Sequence, residues 1–103
     1  MNKKTAIRIA KKFANYVKKS GIPVVDAYLF GSTVTGKTHI GSDIDICIIS
    51  PIFGKDRQKE RLKLMKIQDK INYMIEPHPL SPKDFNNPYN SLSYQIKKTG
   101  IKI

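Results

Sequence analysis

The chain has 103 residues, 40% of them hydrophobic, which suffices for one modest core and leaves little for a second folded unit, so a single domain over residues 1–103 is expected. Lys and Arg number 19 against 8 Asp and Glu, and the formal charge of +11 favours acidic partners such as nucleotides, nucleic acid or an acidic protein, although lysines spread evenly over a solvated surface account for it equally well. Cys47 is the only cysteine, which excludes an internal disulfide and a thiolate metal cluster and points to a reducing cytoplasm; no apolar run approaches membrane-spanning length, and Arg8, Lys11 and Lys12 break any signal-peptide core.

In chain order, Thr5 to Lys19 reads as an amphipathic helix, with Ala6, Ile9, Ala10, Phe13, Tyr16 and Val17 recurring at three and four, stopped by Gly21 and Pro23. Lys3 and Lys4 oppose the helix dipole, so fraying is expected at its start. Val24 to Phe30, β-branched and aromatic between Pro23 and Gly31, is the first strand. Thr33 to Ser42 is too polar for a regular element beyond one helical turn opening at Ser32, and Asp43 to Ile49 is the second strand.

Asp56 to Lys70 is a charged surface helix whose apolar stripe is Leu62 and Met65 with Leu64, Ile67 and Ile71; its cations read as a solvated face. Asn72 to His78 alternates as a third strand closed by Pro77 and Pro79. Ser81 caps a short helical start with Pro82 in its first turn, Ser91 to Lys98 forms a last short helix stopped by Gly100, and Ile101 to Ile103 is available as a terminal strand.

The chemistry concentrates in Leu29 to Ile49, LFGSTVTGKTHIGSDIDICII. Side chains two apart on a strand share a face with Cα atoms about 6.5–7 Å apart, so Asp43 and Asp45 can converge on one object. Two carboxylates beside a face of Ile44, Ile46 and Ile48 repel each other and lose solvation, and a divalent cation relieves both costs. Gly31 allows a sharp turn and close approach of a ligand, Ser32 offers a hydroxyl and an amide to an anion, and a helical turn opening there aims free amides at phosphate. Cys47 reads as a small buried thiol packed under this site, His39 as a solvent-exposed loop residue and His78, between two prolines, as structural.

Gly31-Ser32, Gly36 and Ser42-Asp43-Ile44-Asp45 together resemble the GSxxxG...SDxD signature of the DNA polymerase β-like nucleotidyltransferases, and the chain length is similar to that of their minimal branch. The resemblance implies an α+β fold with a small mixed or antiparallel sheet flanked by helices. It implies two Mg²⁺ ions held by Asp43 and Asp45, with Glu76 adding to one of them and taking or orienting the proton of the attacking hydroxyl, and ATP as substrate, its phosphates held at Gly31, Ser32, Gly36 and Ser42. Two departures stand out. The third acid is Glu76 rather than the usual Asp, with Asn72 the other position on the same expected strand face that aligns with it. The turn Thr33-Val34-Thr35 lacks the arginine that many relatives carry, leaving Lys37 or another lysine to contact phosphate.

Domains of this size resemble antitoxins that adenylylate a tyrosine on a small helical HEPN-type toxin, and this chain has no room for the drug-binding helical domain of aminoglycoside adenylyltransferases. A protein hydroxyl is therefore the expected acceptor. The competing class is a catalytically weak module that binds nucleotide, RNA or partner through its charge; a homo-oligomer stays open, and nucleic acid is the less favoured partner.

Overall fold

The computed structural model describes residues 1–37 and 43–103. Nine elements follow one another as α1 (Lys3–Lys19), β1 (Asp26–Phe30), α2 (Ser32–Thr35), β2 (Ile44–Ile49), α3 (Arg57–Gln68), β3 (Ile75–Leu80), α4 (Pro82–Phe85), α5 (Ser91–Thr99) and β4 (Ile101–Lys102). The sheet order is β3-β2-β1-β4, with β1 antiparallel to both β2 and β4 and β2 parallel to β3. This is the α+β, mixed-sheet architecture expected from the sequence.

Helix α1 begins two residues earlier than its apolar pattern predicts, because the Asn2 side chain accepts from Thr5 N–H (2.8 Å) and satisfies an amide that would otherwise favour fraying. Its Ala6, Ala10, Phe13, Ala14 and Val17 are buried, while Tyr16 lies outside the stripe. On α3 the buried side is Leu64 and Gln68, flanked by Ile67 and Ile71, rather than Leu62 and Met65, which are exposed. Positions 64, 67, 68 and 71 fall on one helical face, and 62 falls opposite.

The alternation of β2 divides the interior into two cores. Ile44, Ile46 and Ile48 face α1 and α3 with Phe13, Leu29 and Leu64, whereas Cys47 and Ile49 face α5 with Phe30, Leu80 and Ile96. Ile46 is fully buried, so Ile46→Ala is expected to cost about 2–5 kcal/mol through lost burial and the void left behind, measured by chemical denaturation.

The third strand departs most from its expected bounds. It starts at Ile75 and continues through Pro77 and Pro79 to Leu80, instead of running from Asn72 and closing at the prolines. The parallel register pairs Ile44 with Ile75, Asp45 with Glu76 and Cys47 with His78. Ile44 N–H donates to the Met74 carbonyl (2.7 Å) and Ser50 N–H to the Leu80 carbonyl (3.0 Å), so the even-numbered residues of β3 face β2 for bonding and the prolines face away. A proline has no amide to donate and is tolerated where an edge strand needs none. Asn72 lies in the turn before β3, where its Oδ1 accepts from Met74 N–H (2.8 Å); it is a turn residue and does not share a strand face with Glu76.

Candidate active site

Antiparallel pairing sets the end of β1 beside the start of β2, with Phe30 opposite Asp45, and the parallel crossover through α3 sets the start of β3 level with them, with Glu76 opposite Asp45. Three strand ends and the turn after β1 thus meet at one edge of the sheet. Glu76 stands at the start of its strand, not near its end as the sequence suggested, yet the register brings it level with Asp45 all the same.

The Gly31 turn packs directly on the acid strand. Its backbone has φ 82° and ψ −154°, a conformation that side chains with a Cβ rarely adopt, and a Cβ placed there overlaps the Asp45 carboxylate and comes within 3.2 Å of its Cγ. The single turn α2 follows from Ser32, with Val34 and Thr35 N–H bonding back to the Gly31 carbonyl (3.1 and 3.2 Å), and Gly36 closes it in the left-handed conformation. Ser32 therefore opens a helical turn beside a carboxylate, as the sequence predicts. Ser42, the remaining residue expected at the phosphates, lies outside the described residues, as does His39.

Asp45, Glu76 and His78 offer one donor atom each within 4.8 Å of one another. His78 Nε2 lies 3.0 Å from Asp45 Oδ1 and 4.0 Å from Glu76 Oε1, and its ring is held edge-on against Phe30, centroids 5.0 Å apart. Arg61, projecting from α3, places a guanidinium nitrogen 3.2 Å from Glu76 Oε1. Asp43 is exposed just before β2 and falls outside this group of three, although its charge reaches Glu76.

Burial raises the Glu76 carboxyl above the usual range, the Asp45 carboxylate adds to the rise, His78 opposes it, Asp43 raises it and Arg61 opposes it. A raised acid is penalised only when ionised. The penalty is absent below the unfolded value of 4.5, appears as pH rises through the folded value and persists above it. Glu76→Gln removes it and sacrifices an exposed pair with Arg61, which contributes little, and a 4.0 Å contact with His78. In chelator-treated protein, Glu76→Gln is expected to match or exceed wild-type stability near neutral pH and to lose that advantage below about pH 4, measured by thermal unfolding across pH. With the base role that the family resemblance implies for Glu76, its turnover is expected to fall on the order of a hundredfold.

Burial also pushes the Cys47 thiol up to about 12, against a small opposing effect of Arg57, so Cys47 is a protonated packing residue as expected. His78 is the functional candidate that the sequence reading set aside as structural. Its signal was the two-residue step from Glu76, the same step that joins Asp43 to Asp45, obscured by taking Pro77 as a strand end. Arg61 carried no signal, since nothing in a cation-rich helix marks the residue that reaches the sheet.

The donor set fits a divalent cation: two carboxylates and an imidazole converge, and the burial and repulsion that raise Glu76 are costs an ion offsets. No helix among the described residues is long and apolar enough to cross a membrane.

The family described as nucleotidyltransferase domain matches residues 10–99. None of the curated proteins compared matches the sequence. Among solved structures, a toxin-antitoxin with AMP-PNP aligns with TM-score 0.61 and 23% identity over 90% of this chain and 70% of that one. A putative nucleotidyltransferase from Sulfolobus solfataricus aligns with TM-score 0.55 and 23% identity over 79% and 74%. A mutant of the toxin-antitoxin MntA-HpeT aligns with TM-score 0.61 and 19% identity over 90% and 70%. At these identities the likeness is one of fold.

Proposed function

Because the chain belongs to the nucleotidyltransferase domain family, we propose that it moves AMP from ATP to a tyrosine hydroxyl of a small helical HEPN-type toxin and so acts as the antitoxin. The observation that carries this reading is the packing of Gly31 against Asp45, which joins the turn opening α2 to an acid cluster at one edge of the sheet. The toxin-antitoxin neighbour with AMP-PNP supports both the nucleotide and the kind of partner.

Each residue has a task in this reaction. Asp43, Asp45 and Glu76 would hold divalent cation, in the number of two that the family resemblance implies, and such a cation would supply neutralisation of triphosphate charge and acidification of the attacking hydroxyl. The amides and hydroxyl opening α2 at Ser32 bind phosphate oxygens, with Gly31 bare enough to let them approach. The acceptor oxygen bonds to the α-phosphorus as the bond to pyrophosphate breaks, and the hydroxyl proton passes to Glu76. Arg61 supplies the guanidinium missing from the Thr33-Val34-Thr35 turn, reaching the site from α3.

The test incubates the purified chain with ATP labelled at the α-phosphate, divalent cation and the candidate toxin. Label on a toxin tyrosine is the expected outcome. Neutralisation of the toxin without label, and equally well by Asp45→Asn, would instead identify a binding module.

A further inference from the structure

We infer that His78 is a nitrogen ligand of the cation at Asp45 and Glu76, and that this position therefore takes a transition metal such as Mn²⁺ in preference to Mg²⁺. The inference rests on the reading of the acid cluster as a cation site and concerns which ion that site selects.

Spacing is the first support. Donors sharing an ion through bonds of about 2.1 Å stand about 3.0 Å apart when adjacent in an octahedral shell and about 4.2 Å apart when opposite. His78 Nε2 is 3.0 Å from Asp45 Oδ1 and 4.0 Å from Glu76 Oε1, inside that span for both. The strand geometry is the second. Glu76 and His78 are two apart on β3, so their side chains leave the same face, and the parallel register lays that face beside Asp45.

Orientation is the third support. The imidazole is mostly buried, with 15% of its side chain exposed, and Phe30 meets it edge-on, so the ring presents Nε2 to the carboxylates without the entropy cost of a free side chain. A histidine placed only to fill space has no need of a ring nitrogen 3.0 Å from one carboxylate oxygen and 4.0 Å from another. Ligand chemistry then selects the ion. Mg²⁺ favours oxygen donors and gives up water reluctantly, whereas an imidazole raises affinity along the first-row transition series.

The experiment titrates the protein with Mn²⁺ alone and with Mg²⁺ alone, then records pulsed electron paramagnetic resonance on the Mn²⁺ form. Expected for the wild type is modulation from a directly bound ¹⁴N. His78→Gln should lose that modulation and weaken Mn²⁺ binding on the order of tenfold or more, while Mg²⁺ binding stays within about threefold. Should His78→Gln fail to fold, ¹⁵N-histidine labelling of a His39→Gln protein tests the same atom, because the coupling must then change from ¹⁴N to ¹⁵N. Mn²⁺ bound to wild type without nitrogen modulation, or modulation that survives His78→Gln, overturns the inference and leaves His78 as a hydrogen-bonding support of Asp45. Failure of wild type to bind either ion overturns the cation reading itself, a distinct result.

Discussion

Asp45→Asn is expected to lower nucleotidyl transfer by about a thousandfold or more while leaving the fold intact. The group stands at the centre of the cluster, level with Glu76, in contact with His78 and packed against Gly31, so no other described carboxylate can take its place. Losses on the order of a hundred- to a thousandfold follow removal of one charge-stabilising group, and this residue both belongs to the acid cluster and packs against the Gly31 turn. Asn preserves the shape, so the Gly31 turn has no reason to rearrange. Charge relief gives a second readout. Asp45 is the largest contributor after burial to the raised Glu76 carboxyl, and the Glu76 proton affinity should fall in the variant, followed by carboxyl chemical shift against pH. Transfer retained in Asp45→Asn would remove the cluster from the reaction.

Gly31→Val is expected to be nearly as damaging, through two costs that add. The backbone there has φ 82° and ψ −154°, where a β-branched residue is strained by roughly 1–3 kcal/mol, and the new Cβ collides with the Asp45 carboxylate, displacing the group it most needs to spare. ATP affinity and cation affinity should therefore fall together. Gly36 provides the control. Its φ is 79° and ψ 9°, but a Cβ there meets nothing within 4 Å, so Gly36→Ala should cost only about 1 kcal/mol of stability and weaken ATP binding far less than Gly31→Val. Calorimetric titration of both variants checks the contrast, and equal ATP affinity in Gly31→Val and wild type would put the phosphates elsewhere.

Much of this site was legible because its parts are local. Gly31-Ser32 between a strand and a polar turn, and Asp45 one strand step beyond Asp43, need only short-range geometry to be read. Glu76 was legible as an acid in an apolar strand, but the ground for choosing it over Asn72 was wrong: Pro77 was taken to end the strand, whereas β3 runs on to Leu80. What sets Glu76 rather than Asn72 level with Asp45 is register with β2, a tertiary fact. The same false boundary hid His78, because a residue placed beyond a strand has no face to share. The expected stripe of the charged helix joined Leu62 and Met65 to Leu64, Ile67 and Ile71; the last three pack inward together with Gln68 and the first two do not, since neighbouring apolar residues on one short helix leave its inward direction ambiguous until the sheet beneath is known. Arg61 belongs to the same class of fact: only the packing of α3 over β3 singles it out.

The prolines of β3 also govern how this protein can meet others. A strand that docks on a sheet edge must receive amide donors as well as carbonyls, and the outward-facing residues from Ile75 to Pro79 provide none that is free, since Pro77 and Pro79 have no N–H and Ile75 N–H is engaged by the Asn72 carbonyl (3.3 Å). The β3 margin is thus no template for continuing the sheet into a second molecule, which disfavours edge-to-edge aggregation and strand addition on that side. On the proposed antitoxin reading, an acceptor protein therefore meets this chain by a route other than adding a strand beside β3.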